Sequence, residues 1–165
     1  MRHILAVALL VASTIAAPAV TFVRDGNRVI LTGQIRQGDG VAFAAIAAAL
    51  PDGIIIVLGL DGGVVPDAIS IGRIIRERKF RTLVPSQCMS ACLMIFAGGA
   101  SRELGEGARL GVHCARRLDD LAHCDKAATS DMAAFLRQMR MPQTIVQMQE
   151  QAGLEITPVP AAALK

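Results

Sequence analysis

Three stretches of this chain carry residue types that could do chemistry together. Ser90 lies in Cys88-Met-Ser-Ala-Cys92, between small residues at the start of an apolar, helix-like run. His113 closes the short apolar stretch Ala108-Arg-Leu-Gly-Val-His113. Upstream, Gly62-Gly63 follows a β-branched run. A hydroxyl nucleophile, a base and a glycine-rich segment offering backbone N–H groups are the parts of a serine hydrolase. Ser90 would attack a carbonyl, and the N–H of Ala91 and those of the glycine pair would face the developing oxyanion. His113 is a better base than His123, because a strand end is held more firmly than the polar loop around His123. Each residue also has a plainer role: a serine N-cap, an ordinary loop, a hydrogen-bonded structural histidine.

Composition sets the frame for these residues. The chain has 165 residues, 53% of them hydrophobic, enough for one domain with a real core. With five Phe, no Tyr and no Trp, that core must be built from aliphatic side chains. A net charge of +3, dispersed among acids and without aromatics for base stacking, argues against nucleic acid as a partner.

The N-terminus reads as an export signal. Met1-Arg-His3 is a short basic start, Ile4 to Ala17 is apolar apart from Ser13 and Thr14, and Ala17-Pro-Ala19 fits a small-x-small cleavage site. Residues 1–19 are therefore expected to be a signal peptide and residues 20–165 the domain, with no stable membrane span after cleavage. The run is short for a bilayer, which needs about 20 apolar residues. An uncleaved N-terminal anchor is the alternative. Export to the periplasm or beyond suits four cysteines, since disulfides persist there.

Four cysteines allow three pairings. The local one, Cys88 with Cys92 and Cys114 with Cys124, is preferred. It carries a condition. Helical neighbours four apart hold their Cβ atoms about 5–6 Å apart, whereas a disulfide wants about 3.5–4.5 Å. Cys88 must then lie before the helix. No Cys-x2-Cys zinc spacing occurs, and neither a metal nor a cofactor is expected.

Strand and helix signals alternate. Strands are expected at Arg28–Gly33, Ile54–Leu58, Phe80–Val84 and Ala108–Val112. Helices are expected at Val41–Leu50, Val65–Arg78, Ala91–Ala97, Ser130–Gln138 and Gln143–Gln151. Gly38-Asp39-Gly40 reads as a loop, and Leu60-Asp-Gly-Gly-Val64 as the turn leaving a strand. Met132, Met139, Met141 and Met148 read as core rather than interface. The order argues for an α/β layered domain with parallel strands, whose ligands gather beyond the strands' carboxyl ends.

Five segments, in order, resemble the Clp-protease-like branch of the ClpP/crotonase superfamily, especially its small exported bacterial members. They are Leu31-Thr-Gly-Gln-Ile35 with Gly38-Asp39; Leu60-Asp-Gly-Gly-Val64, against the family's Ser-Pro-Gly-Gly turn; Cys88-Met-Ser-Ala-Cys92, against its nucleophile segment; Ala97-Gly-Gly99 with Arg102; and Ala108 to His113. The resemblance covers roughly residues 28–115 and implies a single-domain ClpP/crotonase-like fold of repeated ββα units, with residues 128–165 helical. It implies Ser90 as nucleophile, His113 as base, and the backbone N–H groups of Gly63 and Ala91 as oxyanion hole. It further implies a peptidase acting on a peptide or ester, and a homo-oligomer; with nothing resembling an ATPase motif in the sequence, and the ATP-dependent partner of cytoplasmic relatives absent from the periplasm, the activity is expected to be ATP-independent. Leu60 and Asp61 stand where the family has serine and proline. No third triad member is assigned: residues 142–165 hold no Asp, only Glu150 and Glu155, and Asp125 and Asp131 lie nearer His113 than the family pattern expects. A non-catalytic binding or scaffold protein on the same fold is the alternative reading. Acyl-CoA chemistry, as in crotonases, is a weaker one, because that cofactor is intracellular.

Overall fold

The computed structural model describes residues 19–117 and 119–164. The expected signal segment, apart from Ala19, lies outside them. β1 (Thr21–Asp25) and β2 (Arg28–Ile35) form an antiparallel hairpin. α1 (Asp39–Ala48), β3 (Ile55–Gly63) and α2 (Val65–Glu77) follow. Then come β4 (Arg81–Val84), β5 (Gln87–Met89) and α3 (Cys92–Gly98). After β6 (Arg102–Leu104) and β7 (Arg109–Val112), the chain closes with α4 (Lys126–Gln138), α5 (Gln143–Glu150) and the short β8 (Thr157–Pro158). A single 3-10 turn spans Ala161–Leu164.

The sheet branches at β3. Its first half, Ile55 to Val57, pairs in parallel with β4, and β4 with β6. Further along, Leu60 pairs with Cys88 of β5, and β5 pairs in parallel with β7. Each chain passage thus lays one short strand on each branch and returns through a helix, the repeated ββα plan the sequence implies. The expected parallel order holds for β2 through β7, while β1 and β8 add antiparallel edges. In the stretch 128–165, expected to be helical, α4 and α5 are helices, and β8 lies on β7 near its end.

Ile54, Ile56, Leu58 and Leu60 are fully buried, as a continuous apolar strand run requires. Around them α1 packs on α2, and α2 on α3. Every residue of α3 is buried. Met132, Met139 and Met141 are buried in the core and Met148 packs against it, which agrees with their reading as core residues.

Two boundaries differ from expectation for physical reasons. Gly62 and Gly63 are not a turn after β3 but its last two residues, with Gly63 paired to Ile35. Gly63 has φ 134°, and a Cβ there would stand 2.1 Å from the Ile35 carbonyl oxygen. No other residue lets β2 and β3 approach so closely. Asp39 and Gly40, read as loop, begin α1. The Asp39 carboxylate accepts from the Arg36 N–H, and Asp67 Oδ1 accepts from the N–H groups of both Gly38 and Gly40 at 2.9 Å. Side chains rather than sequence periodicity start that helix.

The α2–α3 crossing is also glycine-made. A Cβ on Gly98 would lie 2.2 Å from the Gly72 carbonyl oxygen. Gly98→Ala is expected to lower unfolding stability by about 3 kcal/mol, since backbone rather than a flexible side chain must yield. Urea denaturation checks this, and an unchanged midpoint would refute the close-packed crossing.

Candidate functional site

Ser90 is the first residue after β5, and its N–H donates to the Gly111 carbonyl at 2.9 Å, extending the β5–β7 ladder by one step. Parallel pairing makes both strands end at one edge. His113 follows the last residue of β7, so the structure brings Ser90 and His113 to the same rim of the sheet. Ser90 is only 9% exposed and has φ 56°, a left-handed conformation that costs a non-glycine residue of order 1 kcal/mol or more. Its hydroxyl does not cap α3, whose N-cap is Ala91 with no side-chain cap. The plain capping role is therefore excluded. The Ser90 side chain lies instead against Gly62, where an added Cβ would meet Ser90 Cβ at 2.7 Å and Oγ at 3.2 Å. The glycine pair and the serine share one small space.

The conformation of Ser90 is bracketed by a disulfide. Cys88 in β5 bonds Cys92 at the first position of α3, with Cα atoms 5.3 Å apart. The condition set by the sequence, Cys88 before the helix, is met. Cys114 bonds Cys124, with Cα atoms 5.6 Å apart, closing the loop that follows His113. The local pairing holds for both.

The backbone around His113 is fixed from several sides. Its carbonyl accepts from Gln149 Nε2 at 3.0 Å. The Cys114 N–H donates to the Gly153 carbonyl at 2.8 Å, and the Ala115 N–H to the Thr129 hydroxyl at 3.0 Å. The ring is half-buried. Burial pushes its pKa below the usual 6.5, the Cys114 backbone partly opposes this, and the Arg116 cation adds to the lowering. Nδ1 itself is buried without a hydrogen-bond partner. Among the described residues no hydrogen bond joins Ser90 to His113.

None of the acids weighed for the third position reaches His113. Asp125 caps α4 by accepting from the Ala128 N–H, Glu150 pairs with Arg137, and Asp131 and Glu155 are exposed. Asp61 is exposed and accepts from Gln87 Nε2 at 2.9 Å, on the opposite side of β3 from the buried Gly62. It does not face the site. His123 pairs with Asp120 on the surface. All four cysteines are oxidised, and among the described residues no cluster of three or more His, Cys, Asp or Glu is placed to hold a metal. Two clefts, one beside Arg102 and Arg140 and one beside Arg117 and Lys126, include neither Ser90 nor His113.

Gln149 is the residue sequence reasoning missed. It is fully buried on α5. Its signal was a polar residue four positions after Ile145, on the buried face of that helix.

Removing the Cys88–Cys92 bridge by paired alanine substitution should cost about 2 kcal/mol, and removing Cys114–Cys124 about 3 kcal/mol, from the entropy of closing loops of these lengths. Chemical denaturation of the two variants measures both, and a free thiol titrating in the unfolded, unreduced protein would contradict the pairing itself.

No protein-family model matches the chain, and no curated protein sequence matches it. Solved structures do. ClpP1 from Listeria monocytogenes superposes with a TM-score of 0.62 at 13% identity, over 83% of this chain and 84% of that one. The ClpP protease catalytic domain from Plasmodium falciparum gives 0.59 at 14% identity, over 78% and 74%. A point mutant of the Listeria protein gives 0.51 at 14% identity, over 83% and 84%. The chain has the ClpP-like fold.

Proposed function

We propose that this chain is a serine hydrolase of Clp-protease-like type, acting on a peptide or ester through an acyl-enzyme on Ser90. The observation that carries the reading is the state of Ser90. It is nearly buried, held in a left-handed conformation and packed on Gly62, and its hydroxyl caps no helix. A backbone in an unfavourable region, maintained by a disulfide and a strand pairing, is a recurrent mark of a reactive position.

In this mechanism Ser90 Oγ forms a bond to the acyl carbon as His113 takes the hydroxyl proton. The carbonyl π electrons move onto oxygen, where the N–H groups of Gly63 and Ala91 receive the charge. The tetrahedral intermediate collapses, His113 gives the proton to the departing amine or alkoxide, and water then hydrolyses the acyl-enzyme by the same steps in reverse. His113 must be neutral to act as base. A pKa below the ordinary histidine value keeps it neutral into mildly acidic solution.

Two oxidised cysteine pairs support a location outside the cytoplasm, as does the N-terminal export pattern. No helix among the described residues is long and apolar enough to cross a membrane. The competing reading, a non-catalytic binding protein on this fold, draws on the lack of a carboxylate at His113.

A fluorophosphonate probe should label the wild type and spare Ser90→Ala, while His113→Ala slows labelling about 100-fold or more. Equal labelling of wild type and Ser90→Ala, or none of either, sinks the hydrolase reading. The acidic limb of kcat/KM for an activated ester should fall below pH 6.5, the ordinary histidine value, because a lowered pKa preserves the neutral base as pH drops. Arg116→Ala removes a cation that disfavours imidazolium, so it should move that limb upward. A limb unmoved by that change would show that Arg116 does not act on the ring.

A further inference from the structure

Among the described residues three buried side-chain atoms lack a hydrogen-bond partner: Arg76 Nε, His113 Nδ1 and Gln149 Oε1. Arg76 Nε can only donate, Gln149 Oε1 can only accept, and His113 Nδ1 does either according to the ring's tautomer. Gln149 Oε1 sits on the side chain whose other prong, Nε2, already donates to the His113 backbone carbonyl at 3.0 Å. The amide is therefore tethered to the same residue whose Nδ1 lacks a well-formed hydrogen bond, the Cys114 backbone being the other polar group that acts on the ring. Nδ1 is the ring nitrogen nearer the backbone, and an uncharged ring that leaves Nε2 free must carry its proton on Nδ1. The torsions that turn an imidazole and a carboxamide are broad and soft, so neither flat group is locked in its present setting.

We propose that Gln149 is the positioning residue of His113, its side-chain carbonyl accepting the Nδ1–H and so presenting the Nε2 lone pair toward Ser90. This rests on the reading of Ser90 and His113 as nucleophile and base. A neutral amide fills the place where a carboxylate would stand. It fixes the tautomer but lends no charge to the imidazolium. That accords with a ring whose pKa is lowered by burial rather than raised by an acid. The charged groups on the surrounding elements do not substitute for one: Arg116 is a cation, Asp125 is spent on the α4 N-terminus, and Glu150 on α5 is held by Arg137.

The test reads the ring directly, by 15N NMR of histidine-labelled full-length protein across pH. Wild-type His113 should show a protonated Nδ1 and an unprotonated Nε2 above its pKa. Gln149→Met, of similar length and burial, should shift the neutral ring toward the Nε2–H form. It should also lower kcat about 10-fold with little change in KM. Gln149→Glu should raise the His113 pKa by about one unit or more, since an opposite charge then faces the ring. A wild-type ring protonated on Nε2, or a Gln149→Met variant with the wild-type tautomer, overturns the assignment. So does a folded Gln149→Glu variant with an unmoved pKa. If the Glu variant fails to fold, the Met comparison decides alone. The NMR result is independent of turnover, so failure of Ser90 to react with the probe would remove the hydrolase reading while the tautomer still reports on Gln149.

Discussion

One backbone hydrogen bond governs the geometry of this rim. The Ser90 N–H reaches the Gly111 carbonyl on the neighbouring parallel strand, and this contact joins the two halves of the site. It carries the β5–β7 ladder, which pairs Gln87 to Met89 with Arg109 to Gly111, one residue further to the serine. With it, Ser90 and His113 leave adjacent strands in the same direction. The disulfide from Cys88 to Cys92 then limits what the intervening residues can do, and Gly62 leaves room for the result. Sheet pairing sets the position, a covalent ring sets the conformation, and a missing side chain sets the clearance.

Among the described residues no acid pairs with His113 at this rim. Asp61 is turned away to Gln87, and the acids after His113 are committed to a helix cap, an ion pair or solvent. His113 is consequently governed by desolvation and by a nearby cation, both of which disfavour its charged form. Its orientation depends on uncharged groups: the amide of Gln149 at its carbonyl, and the Gly153 carbonyl at the next N–H. An imidazole held this way gains little stabilisation of its charged form, and what the surroundings fix is its placement.

The legible parts of the fold were those with a strong local signal. Ile54 to Leu58 reads as a buried strand because β-branched residues run unbroken, and α2 reads as a helix because its apolar positions keep the 3.6-residue period. β1 escaped notice although Asp25-Gly-Asn-Arg28 is a two-residue hairpin signal, since the export pattern before it masked the short alternating run. Gly62-Gly63 looked like turn punctuation, yet strand pairing with Ile35 and the proximity of Ser90 demanded glycine within a strand. Ser90 and His113 were visible as a pair of types in order. The left-handed backbone of the one and the amide beneath the other were not, because both arise from elements far apart in the chain.

The bare contact between Gly98 and Gly72 ties two distant glycines to the position of the serine. α3 begins two residues after Ser90 and ends on Gly98, so the helix is a rigid arm between the crossing and the rim. A side chain at either glycine would push that arm outward and carry the serine with it. Neighbouring positions on the surface can drift one at a time, but these two can change only in concert, with a compensating shift of a whole helix. The crossing is thus a place where substitution is constrained by the rim without touching it.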